Sequence, residues 1–201
     1  MASNSSERVT VYIDGFNLYF GITQKRRDLK WLDVQALSQS LLKPGQVLSK
    51  VNYFTARISN NRKKQKRQAI YLEALEAVGV NLIYGHYNDK IKECRNCGNK
   101  WNDYEEKMTD VNIATHLIMD ALEDKYDTAL LVSGDSDLVP PIKAIHNQFD
   151  KKKVVVAFPP NRHTHSLKQS ANGSFIIGRN KIKKSQLPQQ IKSKEGYLLT
   201  Q

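Results

Sequence analysis

Apolar residues along this chain fall into two rhythms. Short runs with β-branched members at residues 9–13, 51–56, 80–84, 128–132 and 154–158 read as buried strands, since a strand covered on both faces needs no polar alternation. Between them, apolar residues three and four apart mark helices. Residues 34–42 form one, capped by Asp33 and closed by Lys43-Pro44-Gly45. Tyr71, Leu75 and Val78 give the core stripe of another, which Gly79 ends. Thr109 is placed to cap a helix over 110–124 with Val111, Ala114, Ile118 and Ala121 at core spacing. Pro140 and Pro141 suit the first turn of a helix over 138–147, where their missing N–H groups are not needed. A short helix over 163–171 and an edge strand at 174–177 follow. Strands alternating with helices predict right-handed crossovers and a mainly parallel sheet.

Two of these strands end in carboxylates. Residues 9–13 run into Asp14, and residues 128–132 run through Ser133 and Gly134 into Asp135 and Asp137. Ligands of open α/β sheets sit beyond the carboxyl ends of the strands, where strand order reverses. If these two strands are neighbours there, Asp14, Asp135 and Asp137 converge on one crevice and Asp110 joins them from its helix start. Carboxylates so crowded raise one another's pKa unless a cation neutralises them, and oxygen-only donors suit Mg²⁺ or Mn²⁺. The plainer reading makes each aspartate a turn or helix cap. Asn17 and Ser133 are placed either to orient a carboxylate or to satisfy local backbone.

Composition narrows the partners. The chain has 201 residues, enough for one well-buried domain, and 31 lysines and arginines against 20 aspartates and glutamates give a formal net charge of +11. A positive field of that size attracts polyanions, nucleic acid first. No apolar window is long enough to span a bilayer, so no membrane partner is expected, and the N-terminus lacks the apolar centre of a signal peptide. With two cysteines there is no disulfide framework, and a cytoplasmic protein is expected. The run Arg62, Lys63, Lys64, Lys66, Arg67 opens a helix against its macrodipole, which favours phosphate contact over a merely solvated face.

At this point Val11-Tyr-Ile-Asp14-Gly-Phe-Asn17-Leu, then Tyr104-Glu-Glu-Lys107-Met-Thr109-Asp110-Val, then Leu131-Val-Ser-Gly-Asp135-Ser-Asp137-Leu resemble the three motif blocks of the NYN domain family, in particular its LabA-like branch, related to PIN-domain nucleases. The resemblance implies a PIN-like three-layer α/β/α sandwich over residues 8–178 and a Mg²⁺- or Mn²⁺-dependent ribonuclease site. Asp14, Asp110 and Asp135 would be its metal acids, with Asp137 and Asn17 in support. Water activated by the metal would be the nucleophile, and Lys107 with the 62–67 cluster would neutralise flanking phosphates of the RNA. Two rivals stand beside this reading: a non-catalytic RNA-binding or adaptor module, and a metal-dependent phosphatase of small nucleotides.

Other motifs fail. Asp137 interrupts the Gly-Asp-Ser-Leu block of a lipase family and no triad base follows; there is no phosphate-binding Gly-x-x-x-x-Gly-Lys loop and no EF-hand spacing. Cys94-x-x-Cys97-Gly98 is half of a zinc ribbon. A tetrahedral zinc needs two more ligands, from His86 or His116, or from a second subunit in a homodimer; a reduced, unmetallated pair is the simpler alternative. Tyr84, Tyr87, Trp101 and Tyr104 are candidates for base stacking. Residues 1–7 read as a polar leader, 88–107 as a polar insertion, and 179–201 as a basic tail that holds RNA by charge or is simply solvated.

Overall fold

The first strand, β1 (Glu7–Asp14), buries Val9, Val11 and Ile13 on one face and Tyr12 on the other, so both faces of its sheet need a cover. The computed structural model describes residues 6–58 and 61–200, with side chains for all of these but 27, 87–90 and 101–106. After β1 come α1 (Gly15–Thr23), α2 (Val34–Leu41), β2 (Gln46–Thr55), α3 (Arg62–Ala77) and β3 (Asn81–Tyr84). Then follow β4 (His86–Glu93), β5 (Lys100–Lys107), α4 (Thr109–Leu122), β6 (Thr128–Val132), α5 (Val139–Gln148), β7 (Lys153–Phe158), α6 (His165–Ser170) and β8 (Gly173–Ile176). Past these lie α7 (Arg179–Lys184), β9 (Gln190–Lys192) and β10 (Leu198–Thr200).

The central sheet has the order β3-β2-β1-β6-β7-β8, and every neighbouring pair is parallel. The chain winds from β1 outward to β3, returns to β6, and winds outward the other way to β8. Right-handed crossovers then put the two sets of helices on opposite faces. Leu18, Leu37, Leu72 and Leu75 of α1, α2 and α3 join Val11, Ile13, Val51 and Val132 in one buried cluster. Ile113, Leu117, Ile142, Ile145 and Leu167 of α4, α5 and α6 join Tyr12, Phe54, Leu131 and Val156 in the other. The expected three-layer α/β/α sandwich is therefore the observed one.

Three readings are corrected. Of the stripe expected on α4, Ala121 is buried and Ile118 packs against the second cluster, but Val111 is 65% exposed, and Ile113 and Leu117 are the helix's other buried residues. Asp120 lies on the same buried face and accepts a 2.7 Å hydrogen bond from the buried Tyr12 hydroxyl. Burial first, and that bond second, hold the Tyr12 phenol far above its ordinary pKa. The polar segment 88–107, read above only as an insertion, belongs to an antiparallel hairpin that pairs β4 with β5 from His86↔Lys107 to Glu93↔Lys100. Its polar, two-faced strands lack the apolar alternation that marks a sheet in sequence. The basic tail is folded on the domain. Ile182, Leu187 and Leu199 are buried in the first cluster, Trp31 Nε1 donates to the Pro188 carbonyl at 2.9 Å, and the Tyr197 hydroxyl donates to Glu73 of α3 at 2.9 Å. The first five residues of the expected leader, and the side chains of Tyr87, Trp101 and Tyr104, lie outside what is described.

Candidate active site

The winding reverses between β1 and β6, which pair in register from Val9↔Thr128 to Ile13↔Val132. Both strands end at the same level, so Asp14 and Ser133 emerge side by side at the switch point. Gly15 lets α1 start there without delay. A Cβ on it would stand 2.6 Å from the Tyr53 ring and 2.7 Å from the Phe54 carbonyl oxygen, so only glycine fits.

Asp14 is 6% exposed and accepts two hydrogen bonds, from the Asn17 backbone N–H and from the Ser133 hydroxyl, each at 3.0 Å. It is thus the N-cap of α1 as well as a wall of the crevice. Burial pushes its pKa up to about 6; the two hydrogen bonds pull down, and the charges of Asp110 and Asp135 push up further. Ser133 also accepts from the Asp135 backbone N–H at 3.1 Å, linking the two acids through one hydroxyl. The Asn17 side-chain oxygen accepts from the Gly134 N–H at 3.0 Å, so Asn17 ties the loop after β6 to α1. Asp110, in the first turn of α4, has its pKa raised by partial burial and then by the charges of Asp135 and Asp137.

The crevice encloses about 210 Å³ and is lined by Asp14, Asn17, Thr109, Asp110 and Asp135 on its polar side. Phe16, Phe20, Met108 and Arg162 line the rest. These last four were missed in the sequence. Arg162 follows the end of β7, the strand beside β6, and any residue in that position is a candidate by topology. Among the described residues, no three His, Cys, Asp or Glu side chains stand close enough to make a ready-made metal nest. The carboxylates share a field without yet sharing a point.

Two capping assignments are corrected. Met108, not Thr109, occupies the cap position of α4, with a left-handed backbone at φ 75°; Thr109 is the first helical residue and is buried. Asp137 caps nothing that the structure shows. The cap is Asp135, whose carboxylate accepts from the Asp137 N–H at 3.0 Å in a short 3₁₀ turn over Ser136–Leu138, and Asp137 points out exposed. Asp135 consequently faces the crevice and holds its own loop.

The remaining sequence candidates are spread around this centre. Arg62, Lys63, Lys64, Lys66 and Arg67 are exposed on the opening turns of α3, which begins where β2 ends and so lies on the crevice edge of the sheet. Lys107 is exposed at the foot of the hairpin, next to Met108. Tyr84 is only partly exposed, and the Arg57 guanidinium stands 4.9 Å over its ring. Cys94 and Cys97 sit in the hairpin turn. His86 pairs with Lys107 at the opposite end, and His116 is engaged with the Asn112 carbonyl and the Phe54 ring; among the described residues neither forms a ready-made metal cluster with the two cysteines.

With known proteins the agreement is as follows. The family described as the NYN domain matches residues 8–182. The chain is 28% identical over 206 aligned positions to the 6-hydroxy-3-succinoylpyridine 3-monooxygenase HspA of Pseudomonas putida (strain DSM 28022 / S16), covering 84% of this chain and 64% of that protein's length. The crystal structure of a protein of unknown function, VPA0982, from Vibrio parahaemolyticus RIMD 2210633 superposes with a TM-score of 0.61 at 22% identity, over 90% of this chain and 98% of the other, a likeness of fold.

Proposed function

Because the chain belongs to the NYN domain family, we propose that it is a divalent-metal-dependent ribonuclease of the LabA-like, PIN-related kind. The observation that carries this is Asp14: a buried carboxylate at the switch point, burdened by Asp110 and Asp135, whose charge a cation would relieve. The donors are hard oxygens. Mg²⁺ is held by one or two carboxylates together with waters and phosphate oxygens, so acids that share a field without forming a closed cage fit it. Asp14, Asp110 and Asp135 would hold Mg²⁺ or Mn²⁺, which would supply charge neutralisation at the phosphate and a water of lowered pKa.

The chain's own residues do the rest. Ser133 and Asn17 fix the two loops against each other, so the acids need not reorganise as charge develops. Arg162 and Lys107 flank the crevice with positive charge for the phosphates on either side of the scissile bond. The basic start of α3 extends that field along the strand-end edge, giving salt-sensitive binding with little sequence preference.

A second reading, a non-catalytic RNA-binding module, is favoured by the lack of a closed carboxylate cage among the described residues. One assay separates them. Incubation with a mixed RNA pool is expected to give cleavage that needs Mg²⁺ or Mn²⁺ and falls at least 100-fold in Asp135→Asn, as loss of one metal-site acid requires. RNA binding without cleavage, unchanged by EDTA and by Asp135→Asn, selects the module.

A structural zinc is proposed at the hairpin turn, shared between two chains. The Cys94 sulfur accepts from the backbone N–H groups of Asn96 and Cys97 and from the Cys97 thiol, which lowers its pKa and favours the thiolate that zinc requires. Purified protein should carry one zinc per two chains, and Cys94→Ser should lose both the metal and the dimer. Zinc-free wild-type protein of unchanged stability would end the idea.

A further inference from the structure

More than half of the chain's net charge sits on one patch away from the acidic crevice. Residues 24–33 and 178–188, roughly a tenth of the chain, carry eight lysines and arginines against two carboxylates, while the whole protein carries a net +11. The fold brings these two segments side by side. Leu32 bridges antiparallel to Gln186, the Asp33 N–H donates to the Ser185 carbonyl at 2.8 Å, and the Leu187 N–H donates to the Trp31 carbonyl at 2.9 Å. Leu29 and Leu32 of one segment and Ile182 and Leu187 of the other are buried in the first cluster. With these anchors turned inward, Lys25, Lys30, Lys183 and Lys184 are left exposed.

The two acids of the patch are already engaged. Asp28 accepts from Arg26 Nε at 2.8 Å, and Asp33 accepts from the Ala36 N–H at 2.8 Å as the cap of α2. The bond from Arg26 first, with the charges of Arg26 and Lys183 behind it, holds the Asp28 carboxyl down to about 2. Lys183 of the second segment therefore faces Asp28 of the first. Lys181 has a structural use, donating to the Ser40 carbonyl. Lys183 and Lys184 suit the end of the α7 dipole, but Lys25 and Lys30 lie outside that helix, and Arg179 with Lys183 is a like-charge pair at a spacing that disfavours it. Anchoring the tail needs only its apolar residues. An excess of cations held together in this way is relieved by a polyanion laid across it.

The patch meets the crevice at its rim. Arg162, which lines the crevice, lies 5.9 Å over the Phe20 ring and packs on α1 at Gly21, where an added Cβ would stand 3.2 Å from the Arg162 Cγ. Two residues later α1 ends, and Lys25 and Arg26 follow. Along the helix Lys25 is about 16 Å from Asp14, the length of roughly five stacked nucleotides. From the other side, the Ile177 N–H donates to the Phe158 carbonyl at 2.9 Å, which sets Gly178 and Arg179 beside the strand end that leads to Arg162.

We propose that Lys25, Lys30, Lys183 and Lys184 form a phosphate-binding track that holds an RNA strand after it leaves the crevice, so that long strands are preferred over short fragments. The inference rests on the RNA reading above and goes further by assigning a second surface, made of residues that line no part of the crevice.

The test uses Asp135→Asn protein, so that binding is read without turnover, and labelled RNA strands of about four and about twenty nucleotides. Lys25→Gln/Lys183→Gln/Lys184→Gln should weaken long-strand binding at least tenfold in about 0.1 M salt and lower the slope of log affinity against log salt by about two, as the loss of three phosphate contacts requires. Short-strand binding should stay within twofold. Arginine at the same three positions keeps the charge and should bind like the parent. Lys143→Gln/Lys151→Gln/Lys168→Gln removes equal charge from α5, α6 and the turn after α5, and should leave long-strand binding within twofold; all six lysines are exposed, so both variants fold. Long-strand binding unmoved by the first variant, equal losses in the two variants, or equal losses for the two strand lengths overturns the track, while Mg²⁺-dependent cleavage by the wild-type protein keeps the ribonuclease reading standing. A protein that neither binds nor cleaves either strand overturns both. Unmoved RNA binding together with lysine-dependent attachment to phosphatidylserine vesicles makes the patch a membrane-facing surface and overturns the proposal.

Discussion

In chelator at pH 7.5, Asp14→Asn should melt several degrees above the wild-type protein while having lost metal-dependent cleavage. The native pKa of Asp14 is pushed up to about 6 by burial, against an ordinary value near 3.9 in the unfolded chain. Below pH ~4 the carboxyl is protonated in both states and costs nothing. Between pH ~4 and ~6 the unfolded chain releases a proton that the native protein keeps, so stability falls as pH rises. Above pH ~6 both states are ionised and the native state carries the whole penalty, at most about 3 kcal/mol for a shift of roughly two units. Asparagine keeps an acceptor for the Asn17 N–H and removes the charge. The advantage of the variant should vanish toward pH 4, and Mg²⁺ should cancel it at pH 7.5 by stabilising only the wild type. Thermal melts at the two pH values, with and without Mg²⁺, measure this; coincident melting curves at pH 7.5 in EDTA would show that Asp14 carries no such burden. A site that is costly when empty follows the general trade of stability for function.

Gly134→Ala should destabilise the fold by about 3 kcal/mol or more, a large effect for a single methyl group. The added Cβ would stand 2.2 Å from the Arg162 carbonyl oxygen and 2.8 Å from its carbonyl carbon, backbone atoms that cannot swing aside as a side-chain tip would. The loop carrying Arg162 would have to withdraw, opening the bond from Thr164 to the Gly134 carbonyl and pulling on the Asn17 oxygen that Gly134 holds. Gly173→Ala is the control: nothing lies within 4 Å of its new methyl, and the change should stay within about 0.5 kcal/mol. Urea titration compares the two. Equal midpoints would mean that the loops after β6 and β7 are not locked together.

How much of this was legible in the sequence depended on what kind of signal each part left. The parallel core announced itself, because strands buried on both faces are apolar throughout: all five residues of β6 are buried. Asp14, Asp110 and Asp135 were locatable because residues at strand exits and helix starts gather wherever the winding reverses. The hairpin left no apolar alternation in the sequence, and its described side chains, such as Ile91 at 70% exposure, stand in solvent. The folded tail was masked by its lysines: Ile182, Leu187 and Leu199 are too sparse to form a period, yet each finds a place in the first cluster. Face selection on α4 was misjudged because a buried carboxylate, Asp120, sits where periodicity reserves places for apolar groups. Phe16 and Phe20 of α1 carry no charge and belong to no chemical constellation in the sequence, so only the packing of the helix shows that they line the crevice.

The central pairing of β1 with β6 also sets the order of events during synthesis. The hydrogen bond from Ser133 to Asp14 closes a separation of 119 residues, while β1 meets β2 after a short excursion. Contacts so distant in the chain are slow to form, because loop closure must be met before they stabilise anything. As the polypeptide leaves the ribosome, the half built on β1, β2 and β3 can wind up first, with one edge of β1 still waiting for its partner. The crevice comes into being only when β6 docks. A half-made chain therefore carries its positive charge into the cell before it carries a site: the wall built on β1 and α1 stands first, and Asp135 and Arg162 reach it only in a late step.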